Sequence, residues 1–534
     1  MNASSKVPSN LRVFYASGQP YTFELALLFY KNHKWSPVYW LVGPEIIDLV
    51  KSRFCETVVH PFIDSVKGRP ADAFINESKF CIDPILLHKL SDQQITAFHM
   101  MNRNDSHTSS FSFSERSEFF RNVSNYWFTV IKKLKIDLVV FEEEPHQASD
   151  YILYVLCGAI GVQTLMPVRT IVNLGLLPVE KFELGCIPLV NKYNKLIKNI
   201  DKYDFKLDKE LELYFDKLNG DYESILDDHL WDQVESVKTL SEKSSFVDRV
   251  LNLTKLYYLK IFNYKAHVTK LKLLLKIDKY DSDQKQKRHR LEDSNQSYFE
   301  LFYYRLKAVL QKKRNLNFYK SVCSNNLNLT KPYILCGLQY QPEKSTCPLG
   351  DYFVDQIYMV ELLSSCLPLG WYVYVKEHPS QFVPTYTRYG ECRNFHFYEA
   401  LLKIPNVKLV SLKNDSFTLI DKAKGVASVG GTMCWEAIAR GKPALCFGDT
   451  WFKACHGVFP ITSKETLKNA YCEILHGFKP CKKKVKLFAK LIRDINFNGA
   501  VGGVRNLKQY GLTSKKNADV YYRSFCDYFE NILK

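Results

Sequence analysis

Two stretches of this chain alternate short apolar runs with segments of helical periodicity. In the first stretch, residues 11–16, 37–42, 136–141 and 162–166 are strand-like, and helical segments lie between them. The second begins at residue 331, with strand-like runs at 333–338, 371–375, 407–410, 425–429 and 443–447. Strands that alternate with helices pair in parallel and form doubly wound sheets. We therefore predict an α/β fold in which two Rossmann-like domains face a cleft.

The length of 534 residues exceeds one ordinary domain and suggests a division into parts. We predict an N-terminal Rossmann-like acceptor domain at 1–175 and a helical insertion or linker at 176–325. A second Rossmann-like domain at 326–475 is expected to bind the donor. The remaining residues, 476–534, have helical periodicity and could pack back on the first domain.

The net charge of +17 favours anionic partners, which include nucleic acid, anionic lipid and phosphorylated substrates. The basic runs 285–290 and 482–484 are candidates for contact with anionic headgroups, although solvated faces would have the same composition. Nucleic acid is the weaker candidate because no recognition motif accompanies the basic residues.

Cysteine usage and apolar runs bear on the cellular location. The 15 cysteines are odd in number and contain no C-x-x-C pair, which favours a reducing, cytoplasmic compartment. Residues 1–10 are polar and do not resemble a signal peptide, and the run 151–166 is short for a membrane span. Any membrane contact is therefore expected to be peripheral.

The strongest local pattern lies at residues 426–448, VASVGGTMCWEAIARGKPALCFG. A strand ends at Gly430 and Gly431, which let the backbone approach an anion closely, and the following helix N-terminus favours a phosphate. Thr432 adds a hydroxyl and could cap the helix, and Glu436 could accept hydrogen bonds from ribose hydroxyls. A plain strand–helix turn with a surface Glu is the alternative, but the complete unit favours phosphate binding.

Polar residues follow two other strands of the second stretch. Lys376 and His378 come directly after residues 371–375, and Gln339 and Glu343 follow 333–338. His378 could donate to a phosphate or protonate a leaving phosphate, or it could be a structural strand-end histidine. Glu343 could act on a sugar anomeric carbon as nucleophile, base or charge stabiliser, or it could be a solvated loop residue.

The first stretch offers its own strand-end candidates. Glu144 and His146 follow the run 136–141 and could bind or deprotonate an acceptor hydroxyl, although a solvated acidic loop explains them nearly as well. Asp281 and Asp283 form a D-x-D pattern, but they lie in a polar, basic segment where a metal site is not expected. No P-loop or other cofactor motif stands in the right context, so we expect no cofactor and no metal.

The second domain resembles the bacterial capsule polysaccharide biosynthesis family, which includes β-Kdo transferases of the GT-B fold. The resemblance is carried by Gln339 with Glu343, by residues 375–379 and by residues 428–448, and it covers roughly residues 330–460. Over 137–166 the first domain matches only in general shape, and the long helical insertion is a departure from the family. The Gly-Gly turn is another, where family members vary.

The resemblance implies a CMP-Kdo donor bound mainly by the second domain, with no metal. It implies that His378 and the 430–432 turn hold the phosphate and that Glu343 is the active carboxylate of a retaining reaction. The predicted donor-binding residues are Gln339, Lys376, Ser428, Gly430, Gly431, Thr432 and Glu436. The predicted catalytic residues are Glu343, His378, Glu144 and His146.

The sequence therefore predicts a glycosyltransferase that moves a nucleotide-activated sugar to a glycan or glycolipid in surface polysaccharide synthesis. Another GT-B activity with a CMP-sialic acid, UDP-sugar or polyol-phosphate donor is the first alternative. A non-catalytic scaffold or basic nucleic-acid binder is the second.

Overall fold

A computed structural model describes residues 7–77, 80–103, 112–170, 175–220, 298–324, 327–383, 393–495, 498–501, 507 and 511–531. The first sheet has the strand order β3-β2-β1-β4-β5-β6 and is parallel except at β6. Its strands are β1 (Arg12–Ala16), β2 (Ser36–Val42), β3 (Val58–Pro61), β4 (Leu138–Phe141), β5 (Gln163–Arg169) and β6 (Leu176–Val179).

Helices cover this sheet because its strands are apolar on both faces. Every residue of β4 is buried, as are six of the seven in β2, which is the pattern of a parallel sheet enclosed between helical layers. The α-helices before and between these strands are Pro20–His33, Ile47–Arg53, Phe62–Val66, Pro84–Lys89, Ser91–Met101, Phe113–Leu134 and Ala148–Ile160. A short 3₁₀ helix spans Asp72–Phe74.

The second sheet has the order β12-β11-β10-β7-β8-β9, and all of its pairings are parallel. Its strands are β7 (Tyr333–Gly337), β8 (Tyr372–Lys376), β9 (Val407–Val410), β10 (Gly425–Ser428), β11 (Ala444–Cys446) and β12 (Val458–Pro460). Its helices include Gln356–Ser365, Phe395–Lys403, Ser416–Lys422, Thr432–Ala439 and Lys464–Leu475, with 3₁₀ helices at Asp351–Val354 and Pro379–Phe382.

Both sheets therefore have the strand order of a dinucleotide-binding Rossmann fold, in which the first strand along the chain pairs with the fourth. This confirms the predicted α/β fold with two doubly wound, Rossmann-like domains of the GT-B type. In each sheet the order reverses between two central strands, β1 and β4 in one and β7 and β10 in the other. Ligands of such sheets bind beyond the carboxyl ends of those strands.

The first domain extends past its predicted boundary at residue 175. Strand β6 begins at Leu176 and pairs antiparallel with β5, with Val179 opposite Met166. The difference arises because β6 is an antiparallel edge strand, which breaks the alternation of strand and helix from which the boundary is predicted.

The second domain also begins earlier than residue 326. The helix Tyr298–Val322 packs on it, since the Tyr319 hydroxyl donates to the Val410 carbonyl at 2.6 Å. The Asn315 side-chain amide donates to the Arg393 carbonyl at 2.7 Å. Two other described helices of the predicted insertion are Ile187–Ile197 and Lys209–Asn219. The rest of the predicted insertion, including the basic run 285–290 and the D-x-D at 281–283, lies outside the described residues.

The last helices connect the two domains. Ser514–Asn531 packs on Pro20–His33, where the rings of Tyr21 and Tyr521 lie 5.0 Å apart, so the chain returns to its first domain. Lys482–Ile495 buries its apolar face against Ile187–Ile197, with Phe488 in edge contact with Tyr193. None of the helices in the described part of the chain is long and apolar enough to cross a membrane.

Candidate functional site

The crevice of the second sheet is braced by a hydrogen-bonded pair. The Gln339 side-chain amide donates to the Ser428 hydroxyl at 2.9 Å, and Ser428 donates to the Gly337 carbonyl at 2.9 Å. These residues follow or end β7 and β10, so the pair spans the point where the strand order reverses. Ser428 is fully buried, which makes it a support for the crevice floor rather than a surface for a ligand.

The Gly-Gly turn stands directly above this brace. Gly431 is the N-cap of Thr432–Ala439, so Thr432 is the first helical residue and not the cap. A Cβ on Gly431 would lie 2.0 Å from Nε2 of Gln339, and one on Gly430 would lie 3.0 Å from the Thr450 methyl carbon. A glycine N-cap has no side-chain oxygen to satisfy the first N–H groups, which leaves them available to a phosphate.

Two buried ionisable groups lie behind the turn. Burial raises the pKa of Glu436 to about 7, against a hydrogen bond from Thr432 and the charges of Arg440 and Lys376. Lys376 donates to the Asn414 carbonyl at 2.6 Å and to the Ser416 hydroxyl at 2.7 Å, and burial lowers its pKa to about 8. Glu436 can therefore both donate and accept hydrogen bonds near neutral pH.

His378 is held as a neutral ring. Its Nδ1 accepts the Ser380 backbone N–H at 3.3 Å, and burial, followed by the charges of Arg393 and Lys376, lowers its pKa to about 4. A neutral imidazole whose Nδ1 accepts a hydrogen bond carries its proton on Nε2. The geometry therefore favours a hydrogen-bond donor over the acid that the sequence left open.

A buried ion pair that the sequence did not predict positions this region. Glu377 accepts hydrogen bonds from Arg393 Nε at 3.0 Å, from the Tyr398 hydroxyl at 3.0 Å and from the His378 backbone N–H at 2.8 Å. Arg393 also donates to the Gln339 carbonyl at 3.3 Å. The pair thereby joins the loops after β7 and β8. No regular helix or strand spacing predicts this pair, because Glu377 and Arg393 are 16 residues apart in the connection between β8 and β9.

A cavity of about 480 Å³ lies between the two domains. The first domain contributes Glu142, Glu143 and Arg169 to its wall, and the second contributes Lys344, Gly430 and Trp451. Among the predicted site residues, Glu144 and Gly430 line it. Arg169 is the last residue of β5, and Trp451 lies in the loop after β11. Ligands bind at the carboxyl ends of such strands, so the sequence could have indicated both residues.

Glu144 does not stand free in this cavity. The Lys344 ammonium lies 2.8 Å from a carboxylate oxygen of Glu143 and 2.9 Å from one of Glu144, and so joins the loop after β7 to the loop after β4. Burial opposes the charge on Lys344, but the two carboxylates outweigh it and raise its pKa. The Glu144 carboxylate is thus already engaged by an ammonium group, which argues against the catalytic role predicted for it.

The predicted catalytic residues His146 and Glu343 both lie outside the cavity lining. His146 is exposed, and its backbone carbonyl accepts a hydrogen bond from the Arg103 guanidinium. Arg103 also donates to the Cys347 carbonyl across the domain boundary. Glu343 is exposed on the loop after β7, where its carbonyl accepts the Thr346 hydroxyl at 2.9 Å.

The acidic residue that directly follows β4 is Glu142. Burial, reinforced by the charge of Glu143, raises the pKa of its carboxyl to about 8. Its carboxylate lies 3.4 Å from the Ser17 hydroxyl at the end of β1. In the part of the chain that the structure describes, no group of three or more His, Cys, Asp or Glu side chains is arranged to hold a metal ion.

Comparison with known families bears on the second domain. Residues 262–471 match the family described as "Capsule polysaccharide biosynthesis protein", about two fifths of the chain. This part of the chain is similar to that family. The match contains every predicted donor-binding residue, as well as Glu343 and His378, and supports a role in capsule polysaccharide biosynthesis. Glu142, Glu144 and His146 lie before it. No curated protein gave a significant match.

Solved structures also resemble this chain. The β-Kdo 2,7 transferase KpsC of Thermosulfurimonas dismutans is 18% identical over 33% of this chain and 57% of its own length, with a TM-score of 0.19. The UDP-GlcNAc 2-epimerase of Neisseria meningitidis, bound to UDP-GlcNAc, is 12% identical over 91% of this chain and 99% of its own, with a TM-score of 0.21. At such TM-scores neither match carries an argument about activity.

Proposed function

We propose that the protein is a glycosyltransferase of capsule polysaccharide biosynthesis that binds a nucleotide sugar at the Gly430–Gly431 turn. One observation carries the proposal. Gly430, next to the glycine that caps the helix, lines a cavity whose wall in the other domain includes the carboxylates of residues 142–144. A phosphate on one wall and a proton-accepting group on the other are what glycosyl transfer to a hydroxyl requires.

The donor that we propose to test first is CMP-Kdo, as the family resemblance implies. In that complex Gly430, Gly431 and the Nε2–H of His378 would bind the single phosphate, and Glu436 would bind ribose hydroxyls. The proposal includes transfer without a metal ion, so EDTA should not reduce it. Glu343 remains the proposed active carboxylate of a retaining reaction.

The experiment is a donor screen followed by transfer. CMP, CMP-Kdo, CMP-sialic acid and UDP-GlcNAc are compared for their ability to raise the melting temperature, because only a ligand of the native state stabilises it. Transfer to octyl glycosides is then measured for the wild type, Glu343→Gln and His378→Ala. Loss of transfer in both variants is expected. Undiminished transfer in both would overturn the site, and stabilisation by UDP-GlcNAc alone would overturn the CMP assignment.

We also propose that the protein works in the cytoplasm and touches an anionic membrane surface through its basic residues. The 14 cysteines that the structure describes are all free, as a reducing compartment would require. Lys482 and Lys483 are exposed at the start of an amphipathic helix whose apolar face is already buried. Their charges are therefore directed outward and could attract anionic headgroups.

A further inference from the structure

Four carboxylates line the cavity between the domains, and three of them are bound to lysines. Glu143 and Glu144 share Lys344, and Asp449 accepts a hydrogen bond from Lys453 at 2.6 Å. Glu142 is the fourth, and no ion pair joins it to any residue that the structure describes. It is therefore the cavity carboxylate that no lysine neutralises, and a buried carboxylate without a cation favours its protonated form.

The charged groups around Glu142 also favour its protonated form. The groups that act on it most strongly are Glu143, Asp150, Ser17 and Gln19, and none of these is cationic. The phenols of Tyr21 and Tyr521 face it from the helices Pro20–His33 and Ser514–Asn531. Asp150 is itself occupied, because it accepts the Gln147 backbone N–H in a capping box.

Glu142 lies where a doubly wound sheet binds its ligand. It follows the last residue of β4, and Ser17 follows the last residue of β1, so the two stand at the reversal point of the first sheet. Gly430 lies just beyond the end of β10, at the reversal point of the second sheet, and lines the same cavity. The two reversal points, one for each substrate of a transfer reaction, thus open into one space.

We infer that Glu142, rather than Glu144 or His146, is the catalytic base that accepts the proton of the acceptor hydroxyl. This inference rests on the proposed transfer reaction. As the hydroxyl oxygen bonds to the anomeric carbon, its proton passes to the Glu142 carboxylate. The bond from the anomeric carbon to its leaving group breaks, and the electron pair stays on that group. In the proposed retaining reaction the leaving group at this step is the Glu343 carboxylate of a glycosyl-enzyme, and in a single, inverting displacement it is the nucleotide phosphate.

The test compares Glu142→Gln with a matched variant at the opposite end of the same strand. Asp137 precedes β4, is exposed, and accepts the Arg12 backbone N–H at 2.8 Å, so Asp137→Asn removes a carboxylate outside the cavity. Transfer from CMP-Kdo to octyl glucoside and octyl galactoside is measured between pH 6 and 9. Stabilisation by CMP is measured in parallel and reports folding and donor binding.

We expect Glu142→Gln to bind CMP like the wild type and to lose transfer by about 100-fold or more, the usual contribution of a general base. The wild-type kcat/KM should rise with pH to a plateau above about 8, the pKa of this carboxyl, and the variant should lack that rise. Asp137→Asn should retain both transfer and the rise. Glu142→Asp, which keeps a carboxylate, should recover part of the activity.

The outcomes separate this inference from the function on which it rests. Wild-type rates in Glu142→Gln, or an unchanged pH profile, would overturn the role of Glu142 and leave the transferase proposal standing. No transfer by the wild type from any of the tested nucleotide sugars would overturn the transferase proposal and the inference together. Loss of CMP stabilisation in Glu142→Gln would assign this residue to donor binding and would also overturn its role as the acceptor base.

Discussion

Replacing Lys344 by Met should weaken the contact between the two domains. The substitution keeps an unbranched side chain but leaves Glu143 and Glu144 without their shared cation. Both carboxylates would then face each other across a partly buried space, where like charges repel and water solvates them incompletely. Because the same lysine joins the loops after β4 and β7, the loss should appear as reduced stability of the assembled molecule.

The exposures of the three side chains bound the size of this effect. Removing one member of a fully buried pair costs about 3–5 kcal/mol, and an exposed pair contributes about 0–1 kcal/mol. The side chains of Lys344, Glu144 and Glu143 are 22%, 6% and 35% exposed, which places the bridge between these limits. We expect a loss of about 2 kcal/mol. At about 2–4 °C per kcal/mol for domains of this size, the melting temperature should fall by about 4–8 °C.

The assay is thermal unfolding at pH 7 with a surface pair as control. Lys490 and Asp494 form an ion pair one helical turn apart at 3.0 Å, so Lys490→Met should cost only about 0.3–0.5 kcal/mol. The double variant Lys344→Met with Glu144→Gln should recover part of the loss. A melting temperature for Lys344→Met within about 1 °C of the wild type would refute the reasoning, because the bridge would then contribute no more than the surface pair.

The difference in stability between the wild type and Lys344→Met should decrease as the pH falls. Burial opposes ionisation of Glu143, but Lys344 and then His146 outweigh it, so its pKa in the folded protein lies below the ordinary 4.5. A carboxyl with a lowered pKa contributes stability that is present above its unfolded value and disappears as the pH falls through the folded value. The gap between wild type and Lys344→Met should therefore be full at pH 7 and shrink below pH 4.5.

Three further outcomes can be checked. Because the pKa of His378 is lowered to about 4, it should contribute stability above pH 6.5 that is lost toward pH 4, and urea denaturation of His378→Gln should lack that loss. Gly431→Ala should displace Gln339 and weaken CMP binding at least 10-fold by calorimetry, with unfolding within about 1 kcal/mol of the wild type because Gln339 can rotate away. Changing all three lysines at 482–484 to Glu should abolish sedimentation with vesicles of phosphatidylglycerol and phosphatidylcholine at low salt. Equal binding by the wild type and this variant would show that the helix bearing these lysines is not the membrane contact. The control carries the same charge change on exposed lysines of the first domain, Lys31, Lys34 and Lys51.

The fold was predictable because its strands are short apolar runs whose order alternates with helices. Residues 138–141 and 333–337 are buried on both faces of their sheets, and a continuous run of apolar residues in the sequence indicates such burial. Strand β6 was missed because it is a short antiparallel strand at an edge. The Gly-Gly turn was found because a strand, two glycines and a helix in succession restrict the backbone to few conformations.

The catalytic assignments were harder to predict, because charge balance depends on partners far apart in the chain. Glu142, Glu143 and Glu144 are adjacent and chemically alike in the sequence. What separates them is Lys344, some 200 residues later, which binds two of the three. The role of Glu377 was also not predictable, because its partner Arg393 follows 16 residues later with no regular spacing to mark the pair. Strand-end position locates a site, but tertiary contacts decide which carboxylate keeps a proton.

The ion pairs of Lys344 should affect the reaction of the proposed base, Glu142, because they hold the two domains together. Glu142 stands on one domain and Gly430 on the other, so the distance between base and donor depends on how the domains are held together. In the proposed reaction the second domain binds most of the donor, whereas transfer needs both walls of the cavity. Lys344→Met should therefore lower kcat more than it weakens CMP binding. If CMP affinity and kcat fell by the same factor, Lys344 would act on the donor itself, and the bridge would not be what brings the base to the reaction.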